Sequence, residues 1–115
     1  MNEFITYIDQ TVLELQEKEQ ELASTDRKDE ANLIKVQINV YGICKTVYET
    51  LGKNGQNEEF ADAYLKRMNA IIANWREAYE KAKKHNDVEK RVIEELKLQA
   101  FETVKKKFMD LHECE

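Results

Sequence analysis

The chain has 115 residues, 36% of them charged and 42% apolar, with a net charge of −5, no proline and three glycines. That is enough for one domain with a buried core and too apolar for a disordered chain. It lacks the turn residues of a β-rich domain and the basic excess of a nucleic-acid binder.

No apolar run approaches the ~20 residues that a membrane-spanning helix needs. The opening stretch MNEFITYIDQ has neither the basic start nor the apolar segment of a signal peptide. Two cysteines, Cys44 and Cys114, make no disulfide framework, so cytoplasmic residence is the expectation.

A first helix is predicted over about 2–23. Met1, Ile5, Ile8, Val12, Leu15, Glu19 and Leu22 alternate four- and three-residue steps, the seam of a bundle or coiled coil. Asn2 is its candidate N-cap. The segment ASTDRKDE breaks the pattern, and Ser24, Thr25 or Asp26 is placed to cap a second helix.

That second helix, predicted over 26–51, contains an ambiguity. In IKVQINVYGIC, residues 34–44, Ile34, Val36, Ile38 and Val40 alternate with polar residues as a strand would. The alternation fails after Val40, and no second strand is available to pair with it. On a helical wheel, Leu33, Val36, Val40, Ile43, Cys44, Val47 and Leu51 share one sector, and Ile34, Ile38, Tyr41 and Tyr48 widen it beyond half the circumference. The segment is therefore read as a helix with more apolar surface than one neighbour covers. Gly52 suits the left-handed position just past its end.

GKNGQN is a loop, with Asn57 able to cap a third helix over 58–84. Ala61, Tyr64, Met68, Ile71, Trp75, Ala78 and Ala82 keep heptad spacing along it. HND at 85–87 is the weakest break; Asn86 with Glu89 resembles a capping box. A fourth helix over 88–112 then uses Val92, Ile93, Leu96, Ala100, Val104, Phe108 and Leu111. Without that break the last two helices would form one rod about 80 Å long.

Long helices and short loops predict a single all-α domain over 1–115, an antiparallel up-down-up-down four-helix bundle. The alternative is three helices, the last long and continuous, in an intertwined dimer. No internal sequence repeat is evident.

Motifs with chemistry are scarce, and no enzyme activity, cofactor or metal is expected. A di-metal carboxylate bundle needs Glu-x-x-His pairs, but Ala82 precedes His85 by three and Met109 precedes His112. His112 and Cys114 are two metal-ligand types at the chain end, too few for a zinc site. Cys44 lies in the apolar arc and reads as a core thiol. GKNGQN lacks the phosphate-loop spacing. Lys105, Lys106 and Lys107 spread around a helical turn rather than forming a patch.

Two functional readings remain. The favoured one is a non-enzymatic bundle acting through protein–protein interaction, first of all with a second copy of itself. The stripe Ile34, Ile38, Tyr41 and Tyr48 is then either core or subunit interface. The alternative is a small apolar ligand held between helices near Tyr64, Met68, Trp75, Ala78 and Ala82. Neither nucleic acid nor membrane is expected as a partner.

Overall fold

A computed structural model of the chain describes residues 3–53, 55 and 58–112, with the backbone alone at 58. They form four helices: α1 (Glu3–Ser24), α2 (Lys28–Leu51), α3 (Glu58–Lys84) and α4 (Val88–His112). The stretch at 34–44 is helical throughout, and α3 and α4 are separate. Burial on one flank overrides the weak helix propensity of its β-branched residues.

The break between α3 and α4 has a specific cause. Asn86 adopts φ +57°, the left-handed conformation, as does Asp26 (φ +65°) between α1 and α2. Asn and Asp tolerate this backbone better than other side chains. Around each, the last turn closes in the same way. The Arg27 amide donates to the Leu22 carbonyl and Asp26 to Ala23; Asp87 donates to Ala82 and Asn86 to Lys83. This pair of bonds satisfies carbonyls that a helix end leaves open.

The capping roles consequently differ from those read in the sequence. Asn86 ends α3, and Asp87 caps α4, its Oδ1 accepting from the Lys90 amide at 3.1 Å. Asp26 likewise ends α1; Arg27 holds the N-cap position of α2 and pairs through its side chain with Glu30. Gly52 is not left-handed, with φ −86°; Gly55, at φ +98°, takes the positive-φ position in that loop. The caps assigned to Asn2 and Asn57 lie outside the described residues.

α1 packs along α2 and α3 along α4, giving two helical hairpins. α2 and α4 meet in the centre, whereas α1 and α3 sit diagonally, their backbones apart and their side chains meeting where Phe4 and Tyr64 lie 5.8 Å apart, centroid to centroid. Phe4 and Tyr64 from the starts of α1 and α3 meet Tyr48 and Phe108 from the ends of α2 and α4. Phe4 lies 4.7 Å from Tyr48, and Tyr64 lies 4.5 Å from Phe108, centroid to centroid. Starts and ends sharing one pole define the up-down-up-down arrangement. Aromatic rings pack there in tilted and edge-on pairs, the arrangements their quadrupoles favour.

The main core runs from this pole through Ile8, Val40, Tyr41, Cys44, Met68, Ile72, Ala100, Phe101 and Val104. Toward the two turns only a smaller cluster, Leu22, Ala31 and Ile34, is fully enclosed within the first hairpin. The Cα envelope, 46 × 34 × 22 Å, is correspondingly broad and flat.

The hairpins repeat one another at a spacing of sixty residues. Phe4 and Tyr64, Ile8 and Met68, Leu22 and Ala82, Val40 and Ala100, Tyr41 and Phe101, Cys44 and Val104, Tyr48 and Phe108 are buried at matching positions. The repeat is one of burial and geometry, because none of these pairs shares a residue type.

Several seam positions move. In α1, Phe4 is fully buried whereas Ile5 is half-buried; Met1 lies outside the described residues. In α3, Phe60 joins the core, and Ala61 and Ile71 pack beside it. In α4, Val92 is exposed and Glu94 is buried. In α2, Ile43 and Leu51 are exposed, each 38%, because α1 lies against the opposite flank.

Candidate functional site

Of the four residues assigned to a core or an interface, three lie in the chain's own core: Tyr48, Tyr41 and Ile34 are buried. Tyr48 is surrounded by the rings of Phe4, Phe60 and Tyr64, and Tyr41 by Tyr7. Burial, followed by the neighbouring Tyr7 hydroxyl, pushes the Tyr41 hydroxyl above its usual range. Ile38 alone stays on the surface, half-buried against the Leu22–Ala31–Ile34 cluster.

The other candidates also find places. Cys44 is a free, fully buried thiol, and burial pushes it up to about 12, away from the thiolate that reacts. Tyr64 and Met68 are completely enclosed, and the Tyr64 hydroxyl donates to the Cys44 carbonyl at 2.9 Å. Trp75 packs edge-on against Phe101 at 4.8 Å. Ala82 is buried near the turn and Ala78 is half-buried, so these residues belong to different parts of the bundle.

His112 stacks on Phe108 at 4.2 Å. Its Nδ1 lies 3.1 Å from the Phe108 carbonyl, which can only accept, and its Nε2 lies 3.5 Å from the Tyr48 hydroxyl. Cys114 lies outside the described residues, as do parts of GKNGQN. Among the described residues no three His, Cys, Asp or Glu side chains gather as a metal site, and no helix is long and apolar enough to cross a membrane.

The surplus apolar surface of α2 therefore faces outward on the side away from its tyrosines. A shallow groove runs along it, lined by Ile38, Asn39, Gly42, Ile43, Thr46 and Val47. Residues 36–44 carry no charge. Gly42 is the floor: a Cβ added there would meet nothing within 4 Å. Two ion pairs tie α2 to α1, Lys45–Asp9 at 2.9 Å and, reaching over from the outer side of α2, Lys35–Glu19 at 3.7 Å. The hydrogen bond that the Lys45 ammonium donates to the Asp9 carboxylate raises that ammonium above its usual range.

The second hairpin provides an internal comparison. Sixty residues after Asn39, Gly42 and Thr46 stand Gln99, Glu102 and Lys106, all exposed. Glu102 reaches Arg76 of α3 at 3.8 Å, so a charged pair spans the two helices there. The matching positions in the first hairpin are Gln16 and Gly42, which form no such pair. The middle of the outer face is thus charged on α4 and open and uncharged on α2.

The sequence disclosed the surplus on α2 but not its direction. The signal in the sequence is the uncharged run around Gly42, which the larger aromatic stripe on the other flank masks. Comparison of the chain with protein-family models, curated proteins and solved structures finds no match.

Proposed function

We propose that this protein is a non-enzymatic helical bundle that works by protein association, in the first instance with a second copy of itself, through the outer face of α2. The observation that carries this is the open groove at Gly42, set against the charged face at the equivalent place on α4. A helix that exposes Ile43, half-exposes Ile38 and Val47, and has no side chain at its centre lets another helix approach closely. Neither nucleic acid nor membrane belongs to the proposal, since the charged surface mixes both signs with a net −5. A cytoplasmic setting fits a thiol kept free at Cys44.

Sedimentation equilibrium from about 10 µM to about 1 mM, the range of modest interfaces, tests the reading. Association to twice 13.6 kDa is expected. Gly42→Glu, which copies the residue at the matching place on α4, is expected to leave a monomer. Its fold will be intact, because the new side chain meets open space and raises helix propensity. A wild-type chain that stays at 13.6 kDa throughout ends the proposal.

A further inference from the structure

We infer that the two copies pair antiparallel through α2, about a two-fold axis passing beside Gly42. The inference rests on the self-association reading and specifies its geometry. Lys35 stands seven residues before Gly42 and Glu49 seven after, and all three are exposed. The steps Lys35, Asn39, Gly42, Thr46 and Glu49 alternate four and three residues, so they share one side of the helix. At 1.5 Å per residue the two charges sit about 10 Å on either side of Gly42.

A two-fold interface places residue i of one copy against j of the other, and j against i. Antiparallel pairing about Gly42 sets each Lys35 opposite Glu49 of the second copy, forming two ion pairs. Parallel pairing would set lysine against lysine and glutamate against glutamate. Lys35 is available for such a contact: its side chain is 61% exposed and only loosely paired with Glu19, at 3.7 Å. Between the charges Asn39 and Thr46 are short and uncharged, and Gly42 adds no bulk at the axis. The same seam on α4 reads Glu95, Gln99, Glu102, Lys106 and Met109 and has no such balance.

Charge reversal tests the geometry. Lys35→Glu and Glu49→Lys each create two like-charge contacts in the antiparallel dimer, and each is expected to weaken dimerisation about tenfold or more. The double variant restores opposite charges and is expected to return to within about threefold of wild type. In a parallel dimer the single reversals would leave the affinity unchanged and the double variant would rescue nothing. A wild-type dimer indifferent to both single changes therefore overturns the antiparallel pairing while leaving self-association standing. A wild-type monomer overturns both. Circular dichroism on each variant confirms that the surface substitutions leave the helices formed.

Discussion

Glu94 occupies in α4 the place that Ile34 occupies in α2, and it is buried as deeply, 6% exposed against 8%. Ile34 closes an apolar cluster with Leu22 and Ala31. Glu94 satisfies one carboxylate oxygen by accepting from Lys97 Nζ at 3.2 Å, with that ammonium also 5.3 Å from the centre of the Trp75 ring. Its Oε2 has no hydrogen-bond partner among the described residues. The turn-proximal core is thus complete in one hairpin and compromised in the other.

Replacing Glu94 by leucine is expected to stabilise the fold by about 1–3 kcal/mol, because an unsatisfied buried carboxylate oxygen gives way to apolar packing. Urea unfolding followed by circular dichroism measures this. Destabilisation on Glu94→Leu would mean that the Lys97 pair outweighs the orphaned oxygen.

The left-handed residues that end α1 and α3 lead to a second expectation. Asp26→Gly and Asn86→Gly remove the Cβ from a strained backbone and should be neutral or stabilising by a few tenths of a kcal/mol to about 1 kcal/mol. Asp26→Ala and Asn86→Ala keep the Cβ without the side chain's local hydrogen bonding and should cost about 1 kcal/mol. Thermal melts of the four variants separate the cases. A glycine variant less stable than its alanine counterpart would count against the left-handed assignment.

The burial of Cys44 makes a third prediction, read in a Cys114→Ser background so that one thiol remains. An aromatic disulfide reagent at pH 8 should label the native protein about 100-fold more slowly than the urea-unfolded chain. Rapid native labelling would place Cys44 outside the core. The same burial sets a pH dependence. Below about pH 9, the usual thiol value, folded and unfolded chains both keep the proton, and Cys44 adds no pH effect. Between about 9 and about 12 the unfolded chain releases it and the folded chain holds it, so stability falls as pH rises. Tyr41 and Tyr64, raised chiefly by burial, act in the same direction at the upper end of that window. A denaturation midpoint that rises from pH 9 to 11 would contradict this.

Helix limits followed from Gly52, the GKNGQN loop and the polar breaks at 24–27 and 85–87, and the observed ends lie within about two residues of them. The roles inside the breaks did not follow: Asp26 and Asn86 look like N-caps in sequence because the same residue types serve both helix ends. Val92 fits the periodic stripe and is exposed, whereas Glu94 breaks the stripe and is buried. Periodicity reports that a helix has an apolar side; it does not report where the neighbouring helix narrows or ends.

The outer face of α2 shows the same limit. Tyr41 and Tyr48 looked as fit for a partner as for a core, and only the position of α1 and α3 decided that they are enclosed and that Ile43 and Gly42 are not. The sixty-residue repeat of the hairpins was also hidden, since matching positions share burial and not residue type. Alone, the sequence determined that this chain is helical, placed the helix ends within about two residues with the break at 85–87 the weakest, and showed that α2 has more apolar surface than one neighbour needs, because helix formation and its termination depend on residues a few positions apart. Only the tertiary structure decided which flank of each helix is covered, where a carboxylate is buried and which face of α2 is left open, because those depend on helices that lie far apart in the chain and meet only when it is folded.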